Sequence, residues 1–83
     1  MIIDLYAIKD ELNGFTSPIP FMKEEMAKRY LKDQYMSNPT ISNSPKDFSI
    51  WLIGTYDTDE GKISGGNKGK MPVLIERAEN YAG

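Results

Sequence analysis

The sequence predicts a small α+β domain, in which an antiparallel-rich sheet of three to four strands has one helix packed across it, plus a C-terminal arm. Residues 2–9 and 48–56 have the alternating or densely apolar character of strands. Between them, residues 23–36 repeat apolar side chains at helical spacing. The chain has 83 residues, which fits one core, so we assign residues 1–64 to a single domain.

The first strand and its return form a predicted hairpin. Residues 2–9 alternate loosely and contain Ile, Leu and Tyr, which favour strands. Asn13-Gly14 is the dipeptide typical of a tight hairpin turn, because that turn needs positive φ angles. Residues 15–21 are the return strand. Pro18 and Pro20 cannot donate backbone hydrogen bonds, so we expect an edge strand or a broken one.

Residues 23–36 form the predicted helix. Pairs such as Glu24 and Lys28 lie four residues apart and support it modestly. Asn38-Pro39 should end it, because the residue before a proline disfavours the helical conformation. The apolar stripe consists of Met22, Met26, Ala27, Tyr30, Leu31 and either Gln34 or Tyr35.

The strongest strand pattern follows a polar loop at residues 40–47. Within this loop, Ser44-Pro45-Lys46-Asp47 looks like a capped turn. Residues 48–56 are apolar on both faces, which is typical of a central strand. A turn over residues 57–61 then leads into a short return strand at residues 62–64.

The C-terminal part of the chain has a different composition. Residues 65–70 are Gly, Asn and Lys only, which is typical of a flexible linker or a long loop. Residues 71–83 are the predicted C-terminal arm. Residues 72–75 begin either a strand or a short helix, and the pattern does not choose between them.

The composition removes several kinds of catalytic and metal site. The chain has no Cys and no His, which excludes disulfides, thiolate zinc sites and a histidine base. Ser44 therefore has no His to activate it, and acids such as Asp4 and Asp47 lie at strand ends or turns, where they are solvated. We expect a binding or assembly protein and not an enzyme, with no cofactor and no metal.

Two loop segments resemble ligand-binding motifs but have the wrong spacing. In Asp57-Thr58-Asp59-Glu60-Gly61, an EF-hand would need an oxygen ligand where Gly61 stands and glycine where Lys62 stands. Around Gly69-Lys70, a phosphate-binding loop would need glycine at Ser64 and a hydroxyl at Met71. We therefore interpret the first segment as an acidic turn and exclude a phosphate-binding loop.

Aromatic and basic residues suggest binding of single-stranded DNA. Such proteins stack bases on aromatic rings and place cations beside the phosphates. Tyr6 and Trp51 lie on predicted strands as possible stacking residues, while Lys62, Lys68 and Lys70 are candidates for phosphate contacts. The net charge of −2 and the pI near 5.0 argue against a uniformly basic surface. In the alternative interpretation, both aromatics are core residues and the lysines keep a loop soluble.

A protein partner is the second hypothesis. A short proline-bearing strand and a C-terminal arm at residues 71–83 both invite pairing with another chain, and a homodimer would enlarge a small core. The apolar runs are too short for a membrane span, and the N-terminal residues do not resemble a signal peptide. We therefore expect a soluble homo-oligomer with no membrane contact.

Three further stretches form a recognisable set: Leu5-Tyr6-Ala7-Ile8, Pro20-Phe21-Met22 and the segment from Pro45 through Asp57 with Gly61 following. Together they resemble a known family, the small nonstructural protein of gokushovirus-type microviruses, which are single-stranded DNA phages. The third stretch is the most specific, although Ser44 stands where that family often has His.

The resemblance implies a nonstructural phage protein of the host bacterial cytoplasm. It further implies a part in viral DNA synthesis or in the switch from synthesis to packaging. In this role a small oligomer would bind single-stranded DNA weakly. The alternative role is a module that contacts a phage or host replication or assembly protein. The resemblance carries no agreed binding residues onto this chain.

Overall fold

The computed structural model describes residues 1–65 and 71–82, which form one antiparallel sheet with a helix packed against it. The predicted α+β fold is confirmed, although the sheet has six strands and not three to four. The strands are β1 (Ile2–Asp10), β2 (Gly14–Phe15), β3 (Ile19–Phe21), β4 (Phe48–Asp57), β5 (Lys62–Ser64) and β6 (Val73–Arg77). The helices are α1 (Glu24–Ser37) and α2 (Pro39–Asn43), and 3₁₀ turns cover Pro45–Asp47 and Ala78–Tyr81.

The sheet is built around the antiparallel pair β1 and β4. The outer edge of β1 pairs with both β2 and β3, and the outer edge of β4 pairs with β5 and β6. The predicted return strand is therefore two short strands, separated by an unpaired stretch that includes Pro18. This break follows from the missing proline N–H. Gly14 has the predicted positive φ, at 91°, but it pairs with Asp10, so the hairpin loop is residues 11–13 and not a two-residue turn at Asn13-Gly14.

A bulge interrupts the central pairing. Leu5 lies opposite Gly54 and Tyr6 lies opposite Leu52, so Ile53 is the extra residue on β4. A Cβ atom on Gly54 would lie 2.5 Å from the carbonyl oxygen of Ser64. Glycine at this position therefore allows the backbone at the end of β5 to approach β4 closely.

The core lies between the sheet and α1. The buried helix residues Ala27 and Leu31 contact a layer of strand side chains, and Leu31 is 0% exposed. Helix α1 agrees with its predicted range to within one residue at each end. The other buried members of this core cluster are Tyr6, Ile8, Ile41, Ile50 and Ala78.

The segment predicted as a polar loop contains a second short helix. The Asn38 side chain accepts a hydrogen bond from the Thr40 backbone N–H at 3.0 Å, and Pro39 occupies the first turn. This is a standard way to begin a helix. The helix turns Ile41 into the core, where it is buried.

The C-terminal segment predicted as an arm belongs to the sheet and the core. Strand β6 pairs with β4, and Ala78 in the following 3₁₀ turn is 0% exposed. The Tyr81 hydroxyl donates a hydrogen bond to the Lys28 carbonyl oxygen at 3.2 Å, and its ring lies 6.1 Å from that of Tyr35. The 3₁₀ turn Ala78–Tyr81 is thereby fixed to α1.

Among residues 1–65 and 71–82, no helix has the length and apolar character that crossing a membrane requires.

Truncating Leu31 should destabilise the fold strongly. Leu31→Ala removes a fully buried side chain between helix and sheet, so we expect the free energy of unfolding to fall by about 2–5 kcal/mol in urea titrations. Leu12 is 84% exposed, so the matched control Leu12→Ala should change it by less than about 0.5 kcal/mol. Equal effects of the two substitutions would contradict the described core.

Alkaline pH should weaken the contact of Tyr81 with α1. Burial raises the pKa of the Tyr81 phenol, and the negative charge of Glu76 raises it further. The neutral phenol is therefore favoured in the folded state. Its contribution to stability is complete below the unfolded pKa of about 10 and is lost as pH rises through the higher folded pKa.

The test compares the wild type with Tyr81→Phe, which cannot ionise, in urea titrations at several pH values from 8 to 11. At the lower pH, the wild type should be more stable by about 1 kcal/mol because of its hydrogen bond. This advantage should shrink above pH 10, and a constant difference across the series would refute the interpretation.

Candidate nucleic-acid interface

The two faces of the sheet carry different side chains. Directly opposed residues of antiparallel strands point to the same face, and neighbours along a strand alternate. Tyr6 and Ile8 point toward α1, so Ala7 and Lys9 point away from it. The register then places four more residues on this second face, which we call the outer face. They are Phe15 and Ser49 opposite Lys9, Trp51 opposite Ala7, and Arg77 opposite Ser49.

Two aromatic rings and a cation meet on the outer face. The rings of Phe15 and Trp51 contact each other edge to face, with centroids 6.2 Å apart and planes at 82°. The Lys9 ammonium lies 5.8 Å from the Phe15 centroid and 5.6 Å from the Trp51 centroid. Both separations are within the range of cation–π attraction. We call these three residues the aromatic cluster.

The cluster is held in place and is partly accessible. The Trp51 indole Nε1 donates a hydrogen bond to the Ser49 hydroxyl oxygen at 2.8 Å, which sets the orientation of the indole. Phe15 is 45% exposed and Trp51 is half-buried. A flat ligand can therefore reach part of both rings.

The charges around the cluster are mixed. Lys9 lies 3.6 Å from a carboxylate oxygen of Glu11, which offsets part of its positive charge. Arg77, at the end of β6, is exposed on the same face. This arrangement can attract an anion only weakly, so any polyanion would depend on contact with the rings as well.

The structure separates the residues that the sequence suggested for DNA contacts. Tyr6 is 2% exposed, and its ring packs against Phe21 with centroids 5.9 Å apart. Burial raises its pKa, as do the charges of nearby acids. A base cannot stack on this ring in the folded protein, so Tyr6 is withdrawn as a candidate. The reason is that one face of a small sheet must fill the core, and Tyr6 is on that face.

The predicted lysines are not next to Trp51 in the part of the chain that the structure describes. Lys62 is exposed on β5, opposite Asp57, and the register assigns it to the same face as Tyr6. Asp57 is six residues from Trp51 along β4, roughly 20 Å at the usual strand rise. Lys68 and Lys70 lie outside the described residues.

Two contributors to the cluster were missed at the level of sequence. Lys9 and Phe15 lie opposite each other because Gly14 pairs with Asp10, which leaves residues 11–13 as the hairpin loop. A two-residue turn at Asn13-Gly14 would instead place Leu12 opposite Phe15, so counting outward from the predicted turn does not find this pair. Arg77 gave no local signal either, since its position depends on the pairing of β6 with a distant strand.

No group of three or more His, Cys, Asp or Glu side chains within residues 1–65 and 71–82 could hold a metal ion.

Comparison with known proteins identifies a family. The family model described as Phage ORF5 protein matches residues 3–81. The chain belongs to the Phage ORF5 protein family. No curated protein matches the chain, and no solved structure does.

The matched range of this Phage ORF5 family member covers the whole sheet except for the first residue of β1. It contains the aromatic cluster, Arg77 and the C-terminal 3₁₀ turn. The family match therefore extends through β6, beyond the limit of residue 64 that we assigned to the domain from sequence.

The accessibility of Trp51 can be measured directly, because it is the only tryptophan. The ratio of iodide to caesium quenching should be higher for Trp51 than for free N-acetyltryptophanamide measured at the same ionic strength, since the Lys9 ammonium lies beside the ring. Lys9→Gln should lower this ratio. The matched control Lys32→Gln, on the exposed side of α1, should leave it unchanged. A ratio that Lys9→Gln does not lower would contradict the described cluster.

Proposed function

We propose that the protein binds single-stranded DNA weakly through the outer face of its sheet. One observation carries the proposal: the Lys9 ammonium lies within 5.8 Å of the centroids of two accessible aromatic rings. Rings that accept stacked bases, with cations for the phosphates beside them, are the usual means of binding a single strand without sequence preference.

In this proposal, two successive bases stack on Phe15 and Trp51. The Lys9 side chain leaves the rings and pairs with a phosphate, which its flexible stem permits. Arg77 contacts a second phosphate from the neighbouring strand. Each stacked base contributes about 1–3 kcal/mol, whereas the net charge of −2 opposes a polyanion. The two effects together favour weak binding.

The lysines beyond β4 remain part of the proposal in a secondary role. Lys62, Lys68 and Lys70 could contact phosphates of a longer strand that passes the end of the sheet. Lys62 lies on the opposite face from Trp51, so a short oligonucleotide on the aromatic cluster would not need it.

The family and the resemblance to gokushovirus-type microviruses support a biological setting for this proposal. Membership of the Phage ORF5 protein family supports a phage protein. We propose that it is a nonstructural protein of a single-stranded DNA phage, acting in the host bacterial cytoplasm during genome replication or packaging. Its role is binding and not catalysis, with no cofactor and no membrane contact.

A second candidate function is contact with a phage or host replication or assembly protein. The observation in its favour is Ile63, which is 69% exposed on the short strand β5. An exposed short strand can pair with an extended segment of a partner. Removing residues 71–83 cannot test this role cleanly, because it would also remove Ala78 from the core.

Titration with a short deoxythymidine oligonucleotide at low salt tests the DNA proposal. Trp51 fluorescence should be quenched, and affinity should fall with rising salt. Phe15→Ala should weaken binding by about 1–3 kcal/mol with the salt slope unchanged. Lys9→Gln should instead reduce that slope by about 0.7, the value for one phosphate contact on a single strand.

Two matched controls accompany these variants. Lys32→Gln removes an exposed charge from α1, and Leu12→Ala removes an exposed apolar side chain from the hairpin turn. Neither should change binding. The absence of any quenching at low salt would refute the proposal, and so would a loss of binding that is equal in the variants and the controls.

A further inference from the structure

We propose that the outward face of α1 is the interface of a homodimer, in which two copies of α1 pack antiparallel about a two-fold axis. The proposal concerns the side of the molecule opposite the outer face. It is therefore independent of DNA binding.

The outward face of α1 carries a continuous stripe of exposed side chains. Their positions are separated by 3, 4 and 3 residues, the spacing that places side chains along one seam between two packed helices. All of them are exposed, and the two methionines are 46% and 72% exposed in chain order. We call this set the methionine stripe, and it consists of Met26, Arg29, Asp33 and Met36.

The exposed methionines of the stripe call for a physical explanation. The core-facing side of α1 is already occupied by Ala27 and Leu31, which are both 0% exposed. The methionine stripe lies about half a turn away, where a helix at the surface is normally polar. Methionine is common on surfaces that bind other proteins, because its flexible side chain adapts to irregular gaps.

A groove between α1 and β3 is lined by three members of the stripe, Met26, Arg29 and Asp33, together with Phe21 and Tyr30. It has a volume of about 230 Å³ and is lined by apolar and charged side chains. Phe21 and Tyr30 form its aromatic wall, with ring centroids 5.5 Å apart. A thioether packs favourably against aromatic rings. A methionine from a second molecule therefore fits this groove chemically.

The charges of the stripe point to a second copy of the same chain as the occupant. Among residues 1–65 and 71–82, neither Arg29 nor Asp33 forms a salt bridge. In an antiparallel pair, a two-fold axis at the level of residue 31 brings Arg29 of each copy opposite Asp33 of the other. The same axis brings Met26 opposite Met36, because both pairs are centred on residue 31. A two-fold interface requires such self-complementarity.

A single register of the two helices satisfies both the charge complementarity and the apolar complementarity. Apolar side chains meet apolar side chains at both ends of the overlap, and opposite charges meet at its centre. A polar pair within an apolar seam is a known means of specifying one register. Helix α1 has 14 residues and is roughly 21 Å long, so the interface is small and the dimer should form in a concentration-dependent way.

Sedimentation equilibrium of the full chain without DNA tests the dimer. The wild type should show a reversible monomer–dimer equilibrium. Arg29→Asp places two pairs of like charges at the centre of the interface, so it should raise the dissociation constant by at least about tenfold. Asp33→Arg should have the same effect. Lys46→Glu, an exposed charge reversal away from α1, is the matched control and should have none.

Two further samples make the test specific to this register. The double variant Arg29→Asp/Asp33→Arg exchanges the charges and should recover the wild-type dissociation constant. An equimolar mixture of the two single variants should form heterodimers, because each then presents the charge that the other lacks. Thermal unfolding of every variant, followed by circular dichroism, confirms that the exposed substitutions leave the fold intact.

A wild type that remains monomeric up to millimolar concentration would overturn the proposal and leave the stripe to a different partner. A dimer that survives both single reversals, or one that the double variant does not restore, would overturn this interface. None of these outcomes bears on DNA binding by the outer face.

Discussion

The register between β1 and β4 is the constraint on which the rest of the structure depends. Because side chains alternate along a strand, a slip of one residue would turn every core side chain of β1 to the opposite face. The observed pairing brings Ile8 opposite Ile50 beneath α1, and Ala7 opposite Trp51 on the outer face. The bulge at Ile53 shifts the register between β1 and β4 by one residue, and Gly54 then permits β5 to approach β4 closely. Core and candidate site therefore arise from the same pairing.

The core of this short chain depends on segments that are distant in sequence. Helix α1 covers the sheet from the middle of the chain, while Ala78 reaches the same core from the C-terminal 3₁₀ turn. The Tyr81 hydroxyl then donates a hydrogen bond to the Lys28 carbonyl oxygen and fixes the 3₁₀ turn to α1. A small domain without disulfides needs such long-range burial, because local elements alone bury too little apolar surface.

The two sides of the molecule support two different contacts. The aromatic cluster occupies one face of the sheet, where accessible rings and a cation fit a single-stranded nucleic acid. The methionine stripe lies on the far side of α1, which fits a second protein surface. In a dimer formed through the stripe, the two outer faces would point away from each other. Each surface that we propose for DNA binding would then remain free, and one long strand could engage both.

Sequence by itself determined the elements whose signals are local. Each of these signals comes from a few neighbouring residues: the apolar periodicity of α1, the apolar run of β4, the positive φ of Gly14 and the break at Pro18. Missing Cys and His limited the chemistry in the same direct way. Helix α2 was missed although Asn38-Pro39 is a good helix start, because we interpreted the proline only as the end of α1.

Tertiary structure alone decided which face each strand residue occupies. Tyr6 and Trp51 look alike in sequence as aromatics on apolar strands, yet the pairing buries one and leaves the other accessible. Strand β6 likewise has little pattern of its own, and its place depends on the free edge of β4. The grouping of Lys9, Phe15 and Arg77 around Trp51 required two pairings at once, that of β1 with β4 and that of β6 with β4. Strand propensity is local, whereas the choice of face is made by the residues that pair across the sheet.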